Sequence, residues 1–100
     1  MLEVALLDVD PARADAYEAA FREARQHIAA SPGYLGHELR RRTEAPGRFL
    51  LLVWWDSVES HTEGFRKSDR YAAWKALLHD FYDPFPVVEH FVVVDREVED

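Results

Sequence analysis

The chain has 100 residues, enough for one domain with a single hydrophobic core. It contains no cysteine, which excludes disulfides, iron–sulfur clusters and thiolate zinc sites and is typical of the reducing cytoplasm. The formal net charge of −7 argues against a nucleic-acid partner, because binding to phosphates requires a basic surface. No apolar run approaches the roughly 18 residues of a membrane helix, so we expect a cytoplasmic protein without membrane contact.

The opening residues predict a strand followed by a helix. Leu2 to Val9 is apolar at nearly every position, and Asp10 and Pro11 suit the N-cap and the first position of a helix. Apolar residues then recur at spacings of three and four until Ser31-Pro32-Gly33, as on one face of an amphipathic helix. The buried face should contain Ala14, Tyr17, Phe21, Ala24 and Ile28.

Two strands joined by a hairpin are predicted next. Residues Tyr34 to Arg42 alternate between apolar and polar side chains, which is typical of a half-buried strand. Its less polar side should contain Leu35, His37 and Leu39. Pro46-Gly47 marks the connection. The run from Phe49 to Trp55 is apolar at every position, so we predict a strand with apolar side chains on both faces.

A second helical region and a last strand complete the pattern. Ser57 is the predicted N-cap, and Ser68-Asp69 should interrupt or restart the helix. Each proline of Asp83-Pro84-Phe85-Pro86 disfavours helix at the residue before it, so an extended loop is expected there. Val87 to Asp95 is predicted as the last strand. The domain then spans residues 1–95, and residues 96–100 form a short charged tail.

The order strand–helix–strand–strand–helix–strand predicts a ferredoxin-like α+β fold, an antiparallel sheet with both helices on one face. The other face would be polar if it met water, yet the third and last strands are apolar on both sides. Pairing two sheets face to face would bury this patch, at about 1.5–3 kcal/mol for each large apolar side chain. We therefore expect a homodimer. RNA-recognition domains share the strand order, but Phe49 to Trp55 lacks their aromatic and basic motif.

Segments from both halves of the chain share a pattern with a known family. In Trp54 to His61, a Trp ends the third strand and a short acidic helix containing a His follows. Phe65 to Tyr71 and Trp74 continue the pattern, and Pro32-Gly33-Tyr34 and Pro86 to Phe91 agree as well. These features resemble the antibiotic biosynthesis monooxygenase family over nearly the whole chain. The resemblance implies the dimeric α+β barrel.

Members of that family include cofactor-independent oxygenases of polycyclic phenols, haem-degrading enzymes and quinol oxygenases. The characterised oxygenases and haem degraders use an asparagine on the first strand, and this chain contains no asparagine. Phe65 stands where haem degraders carry a tryptophan, and the position of their haem-ligating histidine falls at Trp74 or Lys75. The resemblance therefore implies an oxygenase without a cofactor, in which a deprotonated phenol or quinol reacts with dioxygen, and argues against haem degradation.

Such chemistry requires an apolar pocket, a proton acceptor and donors that hold the anion. His61 shares a helical face with Val58 and Phe65 and should point toward the sheet, where an imidazole of near-neutral pKa would suit a general base. Arg66 and His37 are the candidates to hold the anion. The alternative is that His61 is a hydrogen-bonded structural residue and that Arg66 belongs to a solvated helix surface.

Aromatic side chains at helical spacing are predicted to form the pocket walls. Phe65, Tyr71 and Trp74 would stack on a flat ligand, although core packing explains them as well. His90 would join them if its side of the last strand faces the helices, and the same holds for His37. Three converging histidines would suit zinc or iron, but none has the local spacing of a metal motif, so we expect no metal site.

Three functions remain open at this point. The leading hypothesis is a cofactor-independent monooxygenase that oxidises a phenolic or quinol-like small molecule with dioxygen. The first alternative is a non-catalytic dimeric protein that binds a small aromatic molecule. The second is isomerase-type proton transfer, because muconolactone isomerases share this barrel and also need only polar groups in an apolar pocket. Anaerobic incubation separates the oxygenase from the isomerase, since only the oxygenase requires dioxygen.

Overall fold

The strands and helices follow the predicted order in the computed structural model, which describes residues 1–98. The strands are β1 (Leu2–Asp8), β2 (Tyr34–Arg41), β3 (Arg48–Trp55) and β4 (Val88–Phe91). The helices are α1 (Ala14–Ala29) and α2 (Asp69–Leu78), with a π-helical segment at Ser60–Phe65 and short 3₁₀ turns at Pro11–Arg13 and His79–Phe81. None of the helices within this described part is long and apolar enough to cross a membrane.

The sheet is antiparallel, with the strand order β2-β3-β1-β4, and this confirms the ferredoxin-like α+β fold. β1 and β3 form its centre and pair along their whole length, from Leu2 opposite Trp54 to Asp8 opposite Arg48. Both helices lie on one face of the sheet. The core there includes the buried strand residues Ala5, Leu7, Phe49, Leu51, Val53 and Trp55.

The predicted N-cap Asp10 and the following Pro11 start a 3₁₀ turn that leads into α1, and α1 has the predicted buried face. The Asp10 side chain accepts a hydrogen bond from the Ala12 amide at 3.0 Å, and Pro11 follows in the first turn. All of the residues expected on its apolar face are buried, namely Ala14, Tyr17, Phe21, Ala24 and Ile28. The Tyr17 ring lies 4.8 Å from the Phe49 ring between centroids, so α1 packs directly on β3.

The opposite face of the sheet, called the free face here, has no helix packed on it. It carries the alternate side chains of all four strands, which are half-buried or exposed in the single chain. These include Leu2, Val4, Leu6, Leu35, Leu50, Leu52, Trp54 and Phe91. β3 is therefore apolar on both faces, as its sequence predicts.

The prediction for β2 is wrong at Leu35. The pairing of β2 with β3 shifts register between Tyr34 and Gly36, which is an irregularity of the β-bulge type. One extra residue reverses the alternation, so Tyr34 packs on Trp55 on the helix side while Leu35 is 66% exposed on the free face. His37 stays on the helix side, as predicted.

The last strand is shorter than predicted. Its pairing with β1 runs from Val88 opposite Ala5 to Phe91 opposite Leu2, the first residue of β1. Residues beyond Phe91 therefore have no neighbouring strand to pair with in the described part of the chain, and Val92, Val93 and Val94 are exposed. In the predicted tail, residues 96–98 are exposed, and residues 99–100 lie outside the described residues.

The second helical region begins and restarts at the predicted serines. Ser57 Oγ accepts the Ser60 amide at 3.2 Å, and Ser68 Oγ accepts the Tyr71 amide at 3.3 Å as the N-cap of α2. Between them the π-helical segment has a wider turn, with the Arg66 amide donating to the His61 carbonyl at 2.9 Å. This segment buries His61 against the sheet.

Gly33 anchors the start of this region. It has a φ of +84°, and its carbonyl accepts the Asp56 amide at 2.9 Å. A Cβ at this position would approach the side chains of Asp56 and Ser60 far inside van der Waals contact. Glycine is therefore required here for both backbone conformation and space.

We expect Gly33→Ala to lower the free energy of unfolding by about 2 kcal/mol or more, because it combines a left-handed backbone with a steric clash. Gly64→Ala is the matched control, since Gly64 is exposed and a Cβ there approaches only the Glu59 carbonyl oxygen, at 3.9 Å, and it should not lower the stability. Urea denaturation measures the free energy of unfolding of both variants. Equal stabilities of the two variants would contradict the anchoring role of Gly33.

Candidate functional site

A cavity of about 310 Å³ lies between the second helical region and the sheet. The predicted wall residues Phe65, Tyr71 and Trp74 all line it. His61 and Arg66 line it as well, so the structure brings together five of the residues predicted for the site. Aliphatic side chains complete the walls, among them Ala5, Leu7, Ile28, Leu51, Leu78 and Val88.

Glu3 places a carboxylate in this cavity, which the sequence analysis did not predict. The residue is only 5% exposed, and its Oε1 accepts a hydrogen bond from Trp55 Nε1 at 2.9 Å. Burial raises the pKa of Glu3 above its ordinary value, while the indole hydrogen bond and the positive charge of Arg66 act in the opposite direction. A carboxylate with a raised pKa is a stronger base than an exposed one.

His61 lies directly beside Glu3. It is 2% exposed and its ring stacks on Trp55, with 5.5 Å between ring centroids. Its Nε2 lies 3.4 Å from Glu3 Oε1. Burial, together with the nearby Arg66 and His90, lowers the pKa of His61 to about 4. The expectation of a near-neutral pKa is therefore wrong, because the apolar surroundings disfavour the imidazolium.

His90 binds the other side of the His61 ring. Its Nε2 lies 2.8 Å from His61 Nδ1, a distance at which one of the two nitrogens carries the shared proton. Which of these two nitrogens donates depends on the tautomers of the two rings. His90 therefore faces the helix side and holds the His61 ring through this hydrogen bond.

The three side chains form a chain from His90 through His61 to Glu3. No group of three His, Asp or Glu residues is arranged to hold a metal ion anywhere in residues 1–98. Their contacts are successive, so they do not converge on one point. The arrangement suits the acceptance and return of a proton inside an apolar cavity.

Arg66 stands at the solvent end of the same cavity. Its side chain is exposed, in agreement with the solvated surface considered as an alternative, yet it also lines the cavity. Its positive charge influences the pKa of both Glu3 and His61, so the guanidinium lies close enough to act on an anion bound beside them.

His37 lies away from this cavity. β2 and β4 occupy opposite edges of the sheet, and the two central strands separate His37 from His90. The ring packs edge-on against Phe21, bonds the Tyr34 hydroxyl through Nδ1, and lines a separate cavity together with Arg25. Burial and the charge of Arg25 lower the pKa of His37. The structure therefore does not bring His37 to the site with His61.

Glu3 could have been found from the alternation of β1. Glu3, Ala5 and Leu7 share one face of the strand, and that face packs under the helices. A carboxylate at an inward position of an otherwise apolar strand is unusual, because an unpaired buried charge is strongly unfavourable. Its partner, Trp55, is distant in sequence, so the compensation is visible only in the folded chain.

Comparison with known proteins decides the family. The sequence model described as antibiotic biosynthesis monooxygenase matches residues 1–77. The chain belongs to this family. The uncharacterised protein YczJ of Bacillus subtilis (strain 168) is 48% identical over 89 residues, which cover 89% of this chain and 94% of that protein.

Solved structures agree with this family membership. A Bordetella bronchiseptica protein, provisionally assigned as an antibiotic biosynthesis monooxygenase, superimposes with a TM-score of 0.88 at 33% identity, covering 93% of this chain and 95% of that chain. SnoaB, a cofactor-independent oxygenase from Streptomyces nogalater, superimposes with a TM-score of 0.71 over 97% of this chain and 93% of that chain. Its identity is 17%, so this likeness shows the fold alone.

The family match includes two of the three residues in the chain from His90 through His61 to Glu3. Glu3 and His61 lie inside the matched residues, whereas His90 follows them on β4. The contribution of His90 rests on the structure of this chain.

Titration of His61 should make the protein less stable as the pH falls. An imidazole in the unfolded chain has a pKa near 6.5, whereas that of folded His61 is about 4, so between these values only the unfolded chain binds the proton. From about pH 7.5 to about pH 5.0 this removes roughly 2 kcal/mol of stability. Glu3 acts in the opposite direction, because its pKa is raised in the folded state.

His61→Phe isolates this contribution, since the phenyl ring can still stack on Trp55 but has no proton to bind. Urea denaturation at the two pH values should show a pH dependence smaller than that of the wild type by the amount given above. Gln26→Ala, near the end of α1, removes no titrating group, so it is the control and should keep the wild-type dependence. Identical pH dependences of wild type and His61→Phe would contradict the lowered pKa.

Proposed function

We propose that this chain is a cofactor-independent monooxygenase that oxidises a phenolic or quinol-like small molecule with dioxygen. The observation that carries the proposal is the buried Glu3–His61 pair at the wall of an apolar cavity. Membership of the antibiotic biosynthesis monooxygenase family supports the same reaction. The cavity volume of about 310 Å³ falls within the usual range of small-molecule sites.

The first step is removal of a proton from the substrate. Glu3 is the base, because its carboxylate has a raised pKa and lines the cavity. His61 lies beside Glu3 and is itself held by a hydrogen bond to His90. Arg66 stabilises the phenolate by its positive charge at the solvent end. This assignment differs from the sequence-based hypothesis, in which His61 is the base.

The second step transfers electrons from the substrate anion to dioxygen. For a phenol whose keto tautomer carries a CH₂ group, the deprotonated carbon bonds to one oxygen atom and yields a peroxide anion. The peroxide takes back the proton held by Glu3, and loss of water breaks the O–O and remaining C–H bonds. One oxygen atom remains as a carbonyl, the other leaves as water, and the substrate supplies all four electrons.

The walls of the cavity suit a flat ring system. Phe65 meets Tyr71 and Trp74 edge to face, with centroid distances of 5.4 Å and 6.0 Å, so these rings form a corner rather than a stack. A planar ligand placed in this corner gains contact with ring faces and is shielded from water. Exclusion of water also protects the reactive carbanion from reprotonation.

Oxygen uptake with 1,8-dihydroxyanthrone, a tricyclic phenol with a CH₂ group, tests the reaction. We expect uptake well above the protein-free rate, no product without dioxygen, and one labelled oxygen in the quinone formed under ¹⁸O₂. Glu3→Gln keeps an acceptor for the Trp55 indole but removes the base, so kcat should fall about 100-fold. Glu59→Gln, on the exposed side of the same region, is the control and should retain activity.

The alternatives give different outcomes in the same assay. Isomerase-type proton transfer would continue without dioxygen and would still require Glu3. A binding protein would take up the phenol with no turnover in wild type or variants. Oxygen uptake that is unchanged in Glu3→Gln would refute the proposed base.

The free face supports a homodimer as part of the same proposal. Its apolar side chains on β3, Leu50, Leu52 and Trp54, lie opposite the buried core side of that strand. A contiguous apolar surface of this kind is uncommon on soluble monomers, and face-to-face pairing of two sheets would bury it. One face of β3 would then form the core and cavity wall of its own subunit, and the other would meet the partner.

Light scattering should give a mass near twice 11.6 kDa for the wild type. Leu52→Glu places a charge at the centre of the free face and should shift the protein toward the mass of one chain, because a buried unpaired carboxylate opposes association. Ala72→Glu, on the exposed side of α2, should remain dimeric. A wild-type mass of a single chain would refute the dimer.

A further inference from the structure

Lys75 lies at a position of α2 where an apolar residue is expected. Tyr71, Trp74, Lys75 and Leu78 follow the spacing of one helical face, and all four line the cavity. The other members of this stripe are aromatic or aliphatic, as expected for a wall that packs over the sheet. Because Lys75 is exposed, its apolar stem follows the wall while its ammonium group reaches the mouth of the cavity.

The charges around the cavity are predominantly positive although the chain carries a net charge of −7. Arg66 and Lys75 line it, and Glu3 is its only acidic residue in the described part of the chain. Within residues 1–98, neither Arg66 nor Lys75 forms an ion pair with a carboxylate.

The two unpaired cations lie at different places along the cavity. Arg66 precedes α2, and its positive charge lowers the pKa of both Glu3 and His61. Lys75 lies six positions after the first residue of α2, which corresponds to about 9 Å along the helix axis. One cation therefore stands before α2, where its charge acts on Glu3 and His61, and the other stands nearly two turns into the helix.

We propose that the substrate is a phenol with a carboxylate on a ring remote from the reacting hydroxyl, and that Lys75 binds this carboxylate. The placement of the hydroxyl beside Glu3, His61 and Arg66 rests on the proposed function. The carboxylate end rests on Lys75 alone. A single ammonium group suits a monoanion, whereas a phosphate is better matched by the fork of an arginine.

Three stable naphthalene ligands test this inference by calorimetric titration. In 6-hydroxy-2-naphthoate the hydroxyl and carboxylate are at opposite ends, in 3-hydroxy-2-naphthoate they are adjacent, and 2-naphthol has no carboxylate. We expect the first to bind the wild type about fivefold more tightly than either of the others, as for an ion pair at a partly exposed site. Raising the salt concentration from about 20 mM to about 0.5 M should weaken this preference.

Lys75→Gln removes the charge but keeps most of the stem, and should abolish the preference while leaving the affinity for 2-naphthol unchanged. Lys67→Gln is the matched control, because Lys67 is exposed, pairs with Glu63 and does not line the cavity. The preference should persist in this control. Thermal denaturation of both variants should match the wild type, since both side chains lie at the surface.

Several results would overturn the inference. These are equal affinities of the wild type for 6-hydroxy-2-naphthoate and 2-naphthol, a preference that persists in Lys75→Gln, or no binding of 6-hydroxy-2-naphthoate at all. Oxygen uptake with 1,8-dihydroxyanthrone but no carboxylate preference would refute this inference and leave the proposed function intact. A Lys75-dependent preference without oxygen uptake would refute the oxygenase and leave a binding site for aromatic carboxylates.

Discussion

The hydrogen bond from the Trp55 indole to the Glu3 carboxylate connects the core to the site. A carboxylate buried on the inner face of β1 is unfavourable unless donors and positive charge compensate it. The β1–β3 register supplies the donor, because it sets Glu3 opposite Val53 and beside Trp55. The same indole provides the surface on which His61 stacks. Strand pairing, core packing and the proton chain therefore depend on this one contact.

β3 connects this site to the free face of the sheet. Trp54 and Trp55 are neighbours in sequence, yet they point to opposite sides, one to the free face and one to the core. A shift of one residue in the β1–β3 pairing would exchange these faces and remove the partner of Glu3. The apolar side chains of β3 therefore form part of the core on one side and part of the free face on the other. The β1–β3 register determines which residues lie on each side.

The sequence specifies the elements whose burial pattern is local, and α1 is the example, since its entire apolar face is buried as predicted. It did not reveal the bulge that exposes Leu35 or the early end of β4, because both depend on where a distant strand begins or shifts register. Glu3 was missed for a related reason, as its compensating donor is distant in the chain. His61 was found, but its pKa depends on an enclosure that periodicity does not describe.

The position of the His61 ring depends on β4 staying paired with β1. β4 is a four-residue edge strand whose described pairing is to β1 alone, and it carries the His90 that fixes His61. Detachment of a short edge strand requires less free energy than global unfolding, so this is where amide hydrogens should exchange with solvent first. Each such fluctuation would release the His61 ring and admit water beside Glu3. In the proposed reaction, the lifetime of the substrate carbanion would therefore depend on how often β4 detaches from β1.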